Sequence, residues 1–69
     1  MPISARNKLE GKIVAIRTGD IVAHVTIKVG KNLIESVITA QSVEELNLKK
    51  GDKVTAVVKA TEVMISKEQ

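Results

Sequence analysis

Residues 21–29 read Ile-Val-Ala-His-Val-Thr-Ile-Lys-Val, and every odd-numbered position among them is apolar. Because successive side chains of a strand point to opposite faces of a sheet, a period of two over this length predicts a strand with one buried face. Gly30-Lys31-Asn32 follows as a turn signal, and a further strand is expected at 33–39. A β-hairpin is therefore the centre of the predicted fold.

Outward from the hairpin, the sequence predicts one strand before it and a change of period after it. Residues 11–17 are rich in β-branched side chains and precede a Thr-Gly-Asp turn. Residues 41–46 space their apolar positions three apart, and Ser42 with Glu45 fits the S-x-x-E capping box. A short helix is expected to begin at Gln41 or Ser42 and to end near Asn47. Two more strands are predicted at 53–59 and 63–65.

Five short strands with a helix between the third and the fourth is the element order of an oligonucleotide/oligosaccharide-binding (OB) barrel. The predicted fold class is therefore all-β, a five-stranded OB-like barrel formed by one domain over residues 1–69. A chain of this length buries a small core, and it has no cysteine for a disulfide. With 43% hydrophobic residues, it is expected to gain further burial by assembling into an oligomer.

Composition argues against several function classes. The chain has no Phe, Trp or Tyr, and proteins that bind single-stranded nucleic acid use such side chains to stack bases. One histidine without an evident nucleophile partner gives no catalytic set, so no enzyme activity is expected. His24 is interpreted as a structural or surface residue. No apolar run approaches a membrane span, and a cytoplasmic location without membrane association is the default.

Three polar segments are rich in hydrogen-bond donors and poor in apolar bulk. They are Ile3–Asn7, Thr39–Ser42 and Lys59–Thr61. Hydroxyls, the Arg6 guanidinium, the Lys59 ammonium and backbone N–H groups all donate, which is the chemistry that an oxyanion requires. The chain has no cysteine, and its single histidine cannot form a metal site alone, so no direct metal ligand is expected.

These segments carry a resemblance to a known family. Ser4-Ala5-Arg6-Asn7 followed by Leu9 and Gly11 is similar to the S-A-R-N-x-L-x-G opening of the Mop domain, the module of the molbindins. Val37-Ile38-Thr39-Ala40-Gln41-Ser42 with Leu46 resembles its central I-T-x-x-S-x-x-x-L segment, and Lys59-Ala60-Thr61 with Val63-Met64 its closing signature. The resemblance runs over essentially the whole chain.

The resemblance implies a cytoplasmic protein that binds molybdate, and tungstate, for molybdenum storage and homeostasis. It implies a homohexamer, a trimer of dimers, with the oxyanion at subunit interfaces and no organic cofactor. By this similarity one subunit supplies Ser4, Ala5 and Arg6, and a neighbour supplies Thr39, Ser42, Lys59 and Ala60. Alanine contributes its backbone N–H, and Ala60 replaces the serine of some relatives.

The chemistry of the residues agrees with this interpretation. Molybdate carries two negative charges and only acceptor oxygens, so Arg6 and Lys59 roughly neutralise it, and the start of the helix is expected to add free N–H groups. Each residue also has an ordinary role: Arg6 and Lys59 as solvated cations, Thr39 at a strand end and Ser42 as a helix cap. Two alternatives stay open, an OB-fold binder of single-stranded nucleic acid and a structural oligomeric module.

Overall fold

The computed structural model describes residues 6–67, which form one antiparallel sheet and two short helices. The elements, in chain order, are β1 (Asn7–Thr18), β2 (Val22–Val29), β3 (Asn32–Thr39), α1 (Ala40–Glu45), β4 (Lys53–Val58) and a 3₁₀ helix (Ala60–Glu62). The all-β class and the short helix between β3 and β4 are thereby confirmed. In this part of the chain, no helix combines the length and the apolar character that crossing a membrane requires.

The β2–β3 hairpin lies where the sequence predicts it. Ala23, Val25 and Ile27 are buried, as the period of two requires, whereas Ile21 precedes the strand and is 77% exposed. Val29 pairs with Asn32, so the turn has two residues and not three. Gly30 occupies its first position with a φ of 60°, which a two-residue hairpin turn demands and glycine adopts without strain.

The sheet has the order β3-β2-β1-β4, because the long strand β1 pairs with two partners. Its first half pairs with β4 and its second half with β2, and Lys12 pairs with both. The register with β2 shifts between Ile13 and Ala15, which marks a β-bulge. At the same point the turn before β4 docks on β1, since the Ile13 N–H donates to Asp52 O and the Gly51 N–H donates to Ile13 O.

Gly11 permits the close contact between β1 and β2. A Cβ at this position would lie 2.4 Å from the carbonyl oxygen of Lys28 and 2.9 Å from a methyl carbon of Ile27. Because the nearest atom belongs to the backbone, it cannot move aside without displacing the strand. The glycine is therefore required by packing at the place where β1 changes partner.

The core lies on one face of the sheet. Ile13, Val25, Ile27 and Ala56 form a buried cluster. Partly buried apolar side chains pack around it, namely Ile16, Val29, Ile34, Ile38, Val43, Leu48 and Val54.

The end of α1 also packs on this core. Asn47 has a φ of 52° and its N–H donates to Glu44 O, while the Leu48 N–H donates to Val43 O. These two bonds form a Schellman motif, which turns the chain back so that Leu48 and Val43 both reach the core cluster. The end of the helix near Asn47 agrees with the sequence prediction.

Two predictions about the sheet are corrected. Residues 63–65, expected as a fifth strand, belong to no strand, and Met64 and Ile65 are each 93% exposed. The sheet is accordingly open, and no pairing joins β3 to β4 among residues 6–67. Three residues bury too little apolar area in one chain to offset the entropy of ordering them. An apolar cleft of about 340 Å³ remains between Ser36 and Ile38 of β3 and Val54 and Thr55 of β4.

Candidate anion-binding site

Thr39 and Ser42 form a pair of hydroxyl groups at the junction of β3 and α1, which we call the hydroxyl cluster. The Thr39 hydroxyl donates to Ser42 Oγ at 2.8 Å, and the Ser42 N–H donates to Thr39 Oγ1 at 3.0 Å. The Thr39 backbone is extended and its side chain is the N-cap of the helix. The prediction that Ser42 begins the helix as its cap is therefore wrong by three residues.

The cap lies at Thr39 because the sheet fixes the start of the helix. Thr39 pairs with Val22 as the last residue of β3, and the next N–H, that of Ala40, donates to Ile21 O at 2.8 Å. The chain then turns into the helix. Thr39 has an extended backbone, and its side chain accepts from the N–H three residues later, which would otherwise be unpaired. Local sequence and long-range pairing thus specify the same boundary.

The hydroxyl cluster leaves one hydroxyl proton available. Two hydroxyls carry two protons, and the Thr39 proton is used on Ser42 Oγ, so the Ser42 O–H is free to donate outward. A donor whose oxygen already accepts a hydrogen bond is polarised, which strengthens its bond to an anion. The cluster therefore offers one hydroxyl donor near the protein surface.

The start of α1 supplies fewer free N–H groups than the sequence predicts. The Ala40 N–H is bonded to Ile21 O, and the Ser42 N–H is bonded within the hydroxyl cluster. The neighbouring carboxylate is also occupied, since Gln41 Nε2 donates to Glu45 Oε2 at 3.0 Å. The donors of this region are thus mainly its hydroxyls. The Glu45 carboxylate accepts a hydrogen bond from the Gln41 amide.

Arg6 and Lys59 lie together at the other end of β1, a place we call the cationic end. Asn7 pairs with Val58 as the last pair between β1 and β4. Arg6 directly precedes Asn7 and Lys59 directly follows Val58, so the two cationic residues leave the sheet side by side, and both are exposed. The Asn7 amide Nδ2 donates to Val58 O at 3.2 Å and ties the two chain segments together.

Ala60 continues from the cationic end into the 3₁₀ helix. The Glu62 N–H donates to Lys59 O at 2.9 Å, which turns the chain immediately after β4. Ser4 and Ala5 lie outside the described residues, so their predicted roles remain predictions. The structure thus places Arg6, Lys59 and Ala60 at the same end of the sheet.

The hydroxyl cluster and the cationic end stand at opposite ends of β1. Thr39 pairs with Val22 beside the last residues of β1, whereas Lys59 follows the pairing of Val58 with the first residue of β1. Within one chain, Lys59 and Ala60 therefore lie at the same end of β1 as Arg6. Thr39 and Ser42 lie at the opposite end. This differs from the grouping that the family resemblance implied.

The structural roles of two residues that organise these regions are not predicted from the sequence. Thr39 is a predicted site residue, but its spacing to Ser42 is also that of a capping residue and the N–H it accepts, whereas the sequence pattern favours Ser42 and Glu45 as the capping pair. Asn7 was noted only as part of a motif, because its partner Val58 is 51 residues away and no local pattern indicates it.

Comparison with known proteins identifies the family. A family model described as TOBE domain matches residues 3–65. Molybdenum-pterin-binding protein 1 of Clostridium pasteurianum is 52% identical over 66 residues, which are 94% of this chain and 97% of that protein. A molybdate-binding protein from Sporomusa ovata superimposes with a TM-score of 0.93 at 43% identity, over 97% of this chain and 100% of that one.

A third relative is longer than this chain. The cytoplasmic molybdate-binding protein ModG superimposes with a TM-score of 0.81 at 41% identity, over 87% of this chain and 43% of that one. The similarity in sequence and in structure thus extends over nearly all of the present chain. The chain belongs to the TOBE domain family and, within it, to the molbindins.

Proposed function

We propose that this protein binds molybdate, and tungstate, as intact oxyanions in the cytoplasm and thereby stores molybdenum and buffers its concentration. The observation that carries the proposal is the hydroxyl cluster, with a hydroxyl–hydroxyl distance of 2.8 Å. The chain that holds it is similar over its length to proteins named for binding molybdenum-pterin or molybdate. We propose a single domain over residues 1–69 that acts as a binder without catalysis.

The donor set fits a dianion that has only acceptor oxygens. The free Ser42 O–H supplies a directed neutral donor, and Arg6 and Lys59 supply two positive charges. Hydrogen phosphate carries a proton and needs an acceptor, so a site made of donors disfavours it. Ser4, Ala5 and Ala60 complete the proposed set through a hydroxyl and backbone N–H groups.

We further propose that the anion lies between chains, in contact with the hydroxyl cluster of one and the cationic end of another. Supporting this, the two regions leave opposite ends of β1, and no hydrogen bond joins them in the described part of the chain. Each chain then carries one half of two different sites. Binding and assembly are coupled as a result, because an anion held by two chains stabilises their contact.

The exposed apolar surface supports assembly, for which we propose the hexamer, a trimer of dimers, that the family resemblance implies. Met64 and Ile65 are almost fully exposed, and the apolar cleft between β3 and β4 lies open. A further strand at 63–65, added to the edge of another chain's sheet, would bury both surfaces and satisfy unpaired edge groups. In this proposal the predicted fifth strand forms upon assembly.

Isothermal titration calorimetry with molybdate tests the proposal, with tungstate, sulfate and phosphate as further titrants in one buffer. We expect saturable binding of molybdate and tungstate, and little heat from phosphate. A single-stranded oligonucleotide belongs in the same series, because nucleic-acid binding is the alternative function. Heat from the oligonucleotide alone, declining steeply with salt, would overturn the molybdate assignment.

A further inference from the structure

We propose that Asn7 is a positioning residue for the anion, a role that rests on the function proposed above. Its side chain fixes the last pair of β1 and β4 and so holds Arg6 and Lys59 beside each other. Asn7 acts through these neighbours, without contact between its own amide and the anion.

The hydrogen bond from Asn7 differs from the other side-chain hydrogen bonds of residues 6–67. It joins residues 51 apart and is partly buried, whereas each of the others joins residues three or four apart and is exposed. The partner is a carbonyl oxygen, which can only accept, so the amide nitrogen of Asn7 must face Val58. The orientation of the side chain is therefore fixed by chemistry.

The position of this bond gives it an effect on both cations. β4 is an edge strand that pairs only with β1, and the pair of Asn7 and Val58 is the last of their ladder. Terminal pairs open readily unless a side chain closes them. Opening this pair would free the backbones of Arg6 and Lys59 together, because each is the next residue along its strand.

Freed cations bind an anion less tightly. Arginine and lysine lose considerable rotamer entropy when they are ordered, and a mobile backbone adds to that loss. A hydrogen bond that orders the backbone in advance lowers this cost. Because the Asn7 amide is neutral, it orders the two cations without neutralising either of them, which a carboxylate at this position would do.

The test measures molybdate affinity by calorimetry for wild type, Asn7→Ala, Asn7→Gln and Asn7→Asp. We expect Asn7→Ala to weaken binding roughly five- to tenfold, as the loss of one hydrogen bond predicts. Asn7→Gln keeps an amide donor and is expected to recover part of the affinity. Asn7→Asp loses the donor and adds a negative charge, so it is expected to weaken binding most. Asn32→Ala, at the start of β3, is the matched control and is expected to bind as wild type.

A double-mutant cycle with Lys59→Ala separates positioning from a general effect on stability. If Asn7 acts through Lys59, Asn7→Ala has less effect on affinity in the Lys59→Ala background than in wild type, while its effect on thermal unfolding is the same in both. Full additivity of the two affinity losses would overturn the proposal, as would wild-type affinity in Asn7→Ala. If wild type itself fails to bind molybdate, the proposed function fails and the positioning role falls with it.

Discussion

The hydroxyl cluster and the cationic end are held by different kinds of structure. Thr39 and Ser42 are three residues apart and are fixed by bonds between themselves and the first turn of α1. Arg6 and Lys59 come from distant parts of the chain and meet only because β1 pairs with β4. The first region is organised locally, and the second depends on the sheet.

This difference has consequences for binding energy and for robustness. A neutral hydroxyl held in place gives direction to a bond and costs little entropy on binding. Two exposed cations provide more electrostatic attraction but must be ordered when the anion binds. An interchain site that combines the two regions gains both the direction and the charge.

The largest expected effect on molybdate affinity comes from two double variants, each of which lacks one of the two regions. Arg6→Ala with Lys59→Ala removes the cationic end, and Thr39→Val with Ser42→Ala removes the hydroxyl cluster. Arg6→Ala with Lys59→Ala is expected to lower molybdate affinity roughly a hundredfold or more, because two charged donors to the ligand are lost. Thr39→Val with Ser42→Ala loses the one available hydroxyl donor and the cap that places it, so its affinity is expected to fall roughly tenfold or more. Calorimetry on each variant measures the loss.

Mixing the two double variants shows whether the regions come from different chains. After the two are unfolded and refolded together, about a quarter of the interfaces are expected to combine two intact regions and to recover wild-type affinity, as random assembly predicts. The same proteins refolded separately and then combined, without exchange of chains, serve as the control. A mixture in which no tight site returns would place the whole site within one chain.

The two members of the hydroxyl cluster are expected to differ in their effect on stability. Ser42→Ala removes the outward donor but keeps the N–H that Thr39 accepts, so molybdate affinity falls roughly tenfold while stability changes little. Thr39→Val removes the helix cap as well, and the free energy of unfolding falls by about 1 kcal/mol. Chemical unfolding and calorimetry measure the two effects. Equal losses of stability in both variants would show that Thr39 is not the cap.

The sequence predicts the locally organised region better than the other. The alternation in β2 gives its buried face correctly, because Ala23, Val25 and Ile27 follow the period of two. The helix is found close to its true place, although its cap is shifted, since Thr39 and Ser42 both suit the role. The contact of Asn7 with Val58 produces no periodic pattern in the sequence, because it depends on the pairing of two distant strands.

The predicted fifth strand failed for a related reason. Residues 63–65 have the apolar character of a strand, but in one chain three residues bury too little apolar area against the free edges of β3 or β4 to offset the entropy of ordering them. In the described chain they follow the 3₁₀ helix without strand pairing and are exposed. Apolar composition alone thus predicts a strand at 63–65, whereas pairing with another strand is a tertiary property that a segment of three residues does not reveal.

A second cationic region, separate from the cationic end, tests whether charge alone explains binding. Lys12 pairs directly with Lys28 on β2 and with Lys53 on β4, and all three are exposed. Like charges placed opposite each other destabilise a sheet, so Lys12→Glu is expected to raise the free energy of unfolding by about 0.5–1 kcal/mol. Molybdate affinity is expected to stay at the wild-type value. A loss of affinity comparable with that of Lys59→Ala would mean that binding depends on net charge and not on the cationic end.

The smallest expected effect concerns the carboxylate beside the hydroxyl cluster. Gln41 Nε2 holds Glu45 Oε2 at 3.0 Å, and Gln41→Ala releases this carboxylate to move along the helix surface near Ser42. An unpaired negative charge there repels the anion, so molybdate affinity is expected to fall by less than about threefold at low salt, and the difference is expected to vanish as salt screens the charge. Adding Glu45→Gln removes the charge and should restore the affinity, which distinguishes repulsion from damage to the helix. If the double variant binds as weakly as Gln41→Ala, the amide acts on the shape of α1, and the hydroxyl cluster is less independent of its surroundings than its local hydrogen bonds indicate.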